Sequence, residues 1–229
     1  TNLGMILLST VVVIYVASGG LRSVAYVDCA QAVLLALGII VLGVITIKWI
    51  GGWDFFTDGI GVLVKNDLIS RNRLTLQGFS NRVAMPGSIQ IVSSGSNAVG
   101  GVWTGMMCMT YMFALMGIQS SPAFSMWAYA NKSSEPFRWQ QVFASSTVIG
   151  IILFTFSVIQ GMGADVLVLN GIFKTISDST LVPKLINLMS ESAPWLVGLL
   201  AVCALAAMQS TGSAYMSTFS AMITRDIYK

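Results

Sequence analysis

The sequence predicts an all-α polytopic membrane protein, and three observations carry that reading. Of its 229 residues 55% are hydrophobic and only 9% charged, where a soluble domain carries about 25% charged residues to cover its surface. The mean hydropathy is +0.79. Apolar segments suited to a hydrocarbon core of about 30 Å recur along the chain. The same composition removes other classes. The 12 basic and 9 acidic side chains are scattered, with no basic block to track a nucleic-acid backbone. There is no histidine, which takes away imidazole acid–base and imidazole–metal chemistry and leaves the serines without the usual hydrolase base. Cys29, Cys108 and Cys203 lie in or beside apolar runs without metal-ligand spacing and read as small core residues. No enzyme is expected.

The first span, near residues 3–18, is rich in Leu, Ile and Val and ends at Gly19-Gly20. At about 1.5 Å per residue it falls short of a bilayer. No charged flank precedes it, and Lys229 follows a helix directly, so the chain is expected to be an internal piece of a longer membrane protein. A short loop with Arg22 leads to the second span, near 28–49, closed by Lys48 and Trp49, a snorkelling base and an interfacial aromatic. Asp28 stands at its first turn with two readings open: an N-cap facing the helix dipole, or a functional ionisable group at the membrane.

Residues 50–101 form a long extramembrane connection. Phe55-Phe56, Ile60, Val62-Leu63 and Leu68-Ile69 predict a surface helix within it, and the stretch from Ser93 to Gly101 reads as a loop of small residues. The third span, near 102–129, is Met-rich, with Gln119, Ser120 and Ser121 midway followed by Pro122. Proline withdraws a backbone donor, so a kink or break is expected near 118–121. It is either a simple kink or a break that faces a solute, since freed backbone groups in a membrane must be satisfied by protein or water. A polar turn over 131–141 precedes the fourth span, near 142–160. Two short amphipathic elements are expected around 165–175 and 181–189. The fifth span, near 194–223, begins apolar and then turns small and polar as QSTGSAYMSTFS. Basic residues on the two sides do not set an orientation.

That last stretch holds the most informative polar cluster. Ser210, Thr211 and Ser213, with the carbonyl of Ala207 one turn earlier, offer several oxygens to a hard monovalent cation, which takes about five. The competing reading is a small-residue strip for helix packing.

The stretches GGLRSVAYVDCAQAVLLALG (19–38) and LAAMQSTGSAYMSTFSAMITRDIYK (205–229) resemble the sodium:solute symporter family, and the likeness runs along the whole chain. The resemblance implies a partial leucine-transporter-like inverted-repeat fold, about core helices four to eight, as a single partial transporter domain over 1–229. The third span would then be the broken sixth core helix, and the remainder of the same polypeptide would complete the sodium and substrate sites. It implies Na+ as the coupling ion, held by the Ala207 carbonyl and the Ser210 and Thr211 hydroxyls, with Ser213 and Asp28 matching a second sodium site found in some members. Ala214 stands where some of those have a further hydroxyl. No gating tyrosine occupies the place it has in the sugar carriers, which disfavours sugar. Gln119, Ser120, Ser121, Phe124 and Trp127 are substrate-binding candidates by position. The expected function is sodium-coupled symport of a small organic solute, an organic acid or an amino acid, by alternating access. The expected setting is the plasma membrane, a bacterial inner membrane, with the lipid bilayer and the solute as partners and no nucleic acid. The alternatives are a transporter-like sensor fused to a signalling domain, and a channel.

Overall fold

One glycine shapes the beginning of the chain. Helix α1 (Asn2–Ile50) leaves helical geometry only at Gly20, with φ 57° and ψ −157°, a backbone region open to glycine at little cost. A straight helix would hold Ser9 and Gln31 about 33 Å apart. Yet Ser9 lines a recess with Gln209, and Gln31 donates a hydrogen bond to the same Gln209. The chain therefore doubles back at Gly20, and α1 is two antiparallel arms, residues 2–19 and 21–50. The loop expected between the first two spans is replaced by this single-residue turn. Arg22 and Ser23 lower the local hydropathy, but nothing in 21–27 breaks a helix.

The computed structural model of the chain describes residues 2–84, 86–92, 103–174, 178–188, 190 and 194–228. After α1 come α2 (Trp53–Ser70), the short α3 (Pro86–Ile89), α4 (Gly105–Gln119), α5 (Pro122–Tyr129) and α6 (Glu135–Val142). A wide helical stretch over Phe143–Leu153 carries α6 into α7 (Phe154–Leu169), and α8 (Leu181–Asn187) and α9 (Pro194–Met222) follow. Among the described residues, Leu3–Ile50, Glu135–Leu169 and Pro194–Ile227 are long and apolar enough to cross a membrane, while Gly105–Gln119 is apolar but shorter.

The expected break beside Pro122 is present: α4 stops at Gln119, Ser121 is extended, and Pro122 starts α5, where its missing N–H costs nothing. The polar turn before the fourth span is shorter than expected, because Glu135-Pro136 already opens α6. Among the described residues no separate element covers 165–174; residues up to Leu169 finish α7, and Gly171 at φ 76° turns the chain. The surface helix expected in the long connection is α2. The small-residue loop from Ser93 to Gly101 lies outside the described residues.

The chain divides into two compact units. The first comprises Thr1–Gly43, Ser120–Ser157 and Pro183–Lys229. In it the second arm of α1 runs antiparallel to α9, and glycine sets the spacing. A Cβ on Gly38 would come within 2.9 Å of Cys203 Cβ on α9, while one on Gly43 would come within 2.7 Å of a ring carbon of Phe156 on α7. Cys203, Ala206 and Ser213 form the buried face of α9. Small residues here let two helix backbones approach where lipid supplies no hydrophobic drive between them.

The second unit comprises Val44–Gln119 and Val158–Val182. Gly51 and Gly52, with φ of 108° and 118°, make the turn from α1 into α2. Val166 and Leu167 of α7 are fully buried. Gly59 and Gly163 admit this close packing, since a Cβ on either would lie within 2.6 Å of a Val166 or Thr46 methyl. Arg82, on the loop after α2, bonds Asp67 through Nε at 3.0 Å and Asp165 through Nη1, and Ser80 also donates to Asp67.

Candidate functional site

The polar residues of the first unit gather where the second arm of α1 crosses α9. Asp28 is two turns inside the arm, with helix from 21 onward, so it is not the N-cap that one reading of the sequence made it. Its Oδ1 accepts a hydrogen bond from Ser213 Oγ at 3.1 Å, and the Ser210 side chain bonds the same carboxylate. Ser213 is fully buried and its hydroxyl also lies 2.9 Å from the Ser210 carbonyl oxygen. A hydroxyl has one hydrogen, so it serves one acceptor at a time.

One turn along, Gln31 Nε2 donates to Gln209 Oε1 at 3.2 Å. Gln31 is buried, and its own Oε1 has no partner among the described residues. Asp28 and Gln31 share a face at i, i+3, as do Gln209 and Ser213 at i, i+4, so the two pairs form successive polar rungs between the helices. The sequence reading passed over the amide rung. Gln31 interrupts an apolar run and Gln209 ends one, which is the only signal the sequence offers for this rung.

The remaining sodium candidates lie elsewhere around α9. At about 100° per residue, Thr211 projects roughly 200° from Ser213. It is exposed, and its Oγ1 stands 3.5 Å from the Ala207 carbonyl oxygen, a weak hydrogen bond that leaves both oxygens available. Ser210 lies between the two faces. The structure thus brings Asp28, Ser210 and Ser213 together, and sets the Ala207 carbonyl with Thr211 on an open side. The two groups of oxygens lie on different sides of α9 and do not form one donor set, though each is of the oxygen kind that a hard cation takes. Ser217 of α9 and Thr224, in the helical turn just beyond it, donate to the carbonyls four residues back and so meet their own needs locally.

The substrate candidates are spread out. Gln119 ends α4 in the second unit, while Ser120, Ser121, Phe124 and Trp127 belong to the first. Ser121 Oγ is shut from solvent with no partner among the described residues. Phe124 is exposed. Trp127 lines a recess with Arg22 and Asn131. The opposite side of α5, through Ser125, Met126 and Tyr129, faces Thr218, Met222 and Arg225 near the end of α9.

Neither the curated proteins nor the solved structures give a match. The chain does match the model of the sodium:solute symporter family from residue 1 to residue 229, and it belongs to that family.

Proposed function

We propose that this chain is part of a symporter that moves a small organic solute, an organic acid or an amino acid, across a plasma membrane by coupling it to sodium entry. The family is one of sodium-coupled solute transport and not of enzymes. The observation that carries the site assignment is the meeting of Asp28 with Ser213 and Ser210, residues about 180 positions apart in sequence, across two packed helices. Asp28 is half-buried. A carboxylate partly withdrawn from water is costly in a membrane, and a cation that shares its oxygens offsets that cost.

In this reading Ala207, Ser210 and Thr211 hold the coupling ion from one side, with the rest of the same polypeptide closing the shell. Asp28 and Ser213 hold a second ion or transmit occupancy of the first. Ser120, Ser121, Phe124 and Trp127, all in the first unit beside the break in the third span, are the residues on the solute path in this reading, where unwound backbone is tolerated. Sodium shifts the balance between outward-open and inward-open forms only as far as its affinities for them differ. The membrane voltage adds about 2.3 kcal/mol per charge per 100 mV.

The test is uptake of radiolabelled short carboxylates and amino acids by the intact transporter in proteoliposomes, under a sodium gradient or with potassium alone. Accumulation of one compound only with sodium is the expected result. Folded protein that binds such a compound without accumulating it overturns the proposal and points to a sensor. Passive conductance in place of uptake points to a channel. Thr211→Ala is expected to raise the half-saturating sodium concentration while leaving the melting temperature unchanged.

A further inference from the structure

The second compact unit contains a cavity of about 570 Å³, within the usual range for a small-molecule site. None of its lining residues belongs to the unit that carries Asp28 and Ser213. One wall is apolar, with Ile60 of α2 and Met162 of α7, and the Trp103 ring adds a flat face. The polar groups are Arg73, Asn81, Arg82 and Asp165.

The charges on these groups are unevenly matched. Arg82 is shared by two carboxylates, Asp67 and Asp165, so that cluster carries one negative charge in excess. Asp67 is buried and committed through Oδ2 to both Ser80 and Arg82. Asp165 is the partly exposed member, its side chain 44% accessible, and Arg82 takes only its Oδ2. The excess negative charge therefore faces the cavity at Asp165. Arg73 supplies one positive charge on the same cavity, and its guanidinium has no ion pair among the described residues. Asn81 adds an amide whose Oδ1 is without a donor among the described residues, and turning that amide offers the oxygen to whatever occupies the space.

We infer that this cavity is a binding site for a small zwitterion with an apolar body, an α-amino acid with an aliphatic side chain. The carboxylate meets Arg73 in the paired geometry that guanidinium favours. The ammonium meets Asp165, and the side chain lies against Ile60, Met162 and Trp103. A simple carboxylate leaves the excess charge at Asp165 unanswered, and a simple amine leaves Arg73 so. This proposal stands apart from the assignment of the sodium site and does not need sodium.

The experiment is a titration of Trp fluorescence in the intact transporter, purified in detergent and kept in sodium-free potassium buffer. The probes are L-valine, isovalerate, which lacks the amine, and isobutylamine, which lacks the carboxylate. The expected result is a saturable change with L-valine that disappears in Trp103→Phe. Isovalerate and isobutylamine are expected to bind at least tenfold more weakly, as is L-valine to Arg73→Gln. Arg73 is exposed, so its replacement leaves the fold intact, and unchanged melting of that variant checks this. A change that survives Trp103→Phe or Arg73→Gln overturns the proposal, as does an equal response to isovalerate. So does a site answering only to anionic phospholipid in a parallel titration in nanodiscs. Sodium-driven uptake, measured separately, tells failure of this site from failure of the symport reading.

Discussion

Ser213 has a single hydroxyl hydrogen and two acceptors within reach, the Asp28 carboxylate and the Ser210 carbonyl. A cation that takes up the carboxylate releases the hydroxyl to the carbonyl, so occupancy can be read within α9 as a change of hydrogen-bond partner. Ser213→Ala removes that choice and one oxygen donor. It is expected to raise the half-saturating sodium concentration of uptake about tenfold, a loss of about 1.4 kcal/mol. Asp28→Asn, which keeps the shape and removes the charge, is expected to do at least as much. Unchanged sodium dependence in both variants would reduce the pair to a packing contact. The oxygens of α9 were legible in the sequence, since one short stretch holds them all. That Ser213 is the one that meets Asp28 follows from the family resemblance alone, because spacing along a chain does not pair residues on different helices.

The contact between the second arm of α1 and α9 depends on glycine more than on large apolar residues. Gly38→Leu places atoms where Cys203 already stands, and overpacking of this kind costs about 1–3 kcal/mol. A lower melting temperature in detergent is the expected readout, with the yield of folded protein falling in step. Gln31→Leu leaves the Gln209 carbonyl oxygen without its donor. Its expected cost is smaller, about 1 kcal/mol, the usual worth of a polar contact between membrane helices. At this scale the sequence was informative wherever a residue constrains its own backbone. Pro122 placed the break in the third span, and Gly19-Gly20 placed the end of the first. The turn at Gly20 is shorter than the loop that Arg22 suggests, because a single arginine is at home in a helix.

Across the whole chain, composition sufficed for the class and two stretches for the family. The division into two compact units was not legible. It rests on contacts such as Arg82 with Asp165, 83 residues apart, and isolated charges in a long connection look like solvated surface. Arg82→Gln tests this level. It strands Asp67, whose side chain is 10% exposed, and loss of one partner from a buried ion pair costs about 3–5 kcal/mol. Hydrogen exchange is expected to quicken along α2 and residues 71–84. Exchange at the crossing of α1 and α9 is expected to stay as it was. Uniform loss of protection would mean that the two units unfold together.

The turn at Gly20 has one more consequence. A hairpin closed by a single residue has no slack, so its arms cannot slide to absorb a change in length. One residue inserted between Gly20 and Asp28 advances every later side chain of that arm by about 100° around its axis. Asp28 would swing away from Ser213 and Gln31 away from Gln209 in the same movement. The phase of the arm, as much as the identity of its residues, keeps the two polar rungs engaged, and length variants in 21–27 should be tolerated far less well than substitutions there.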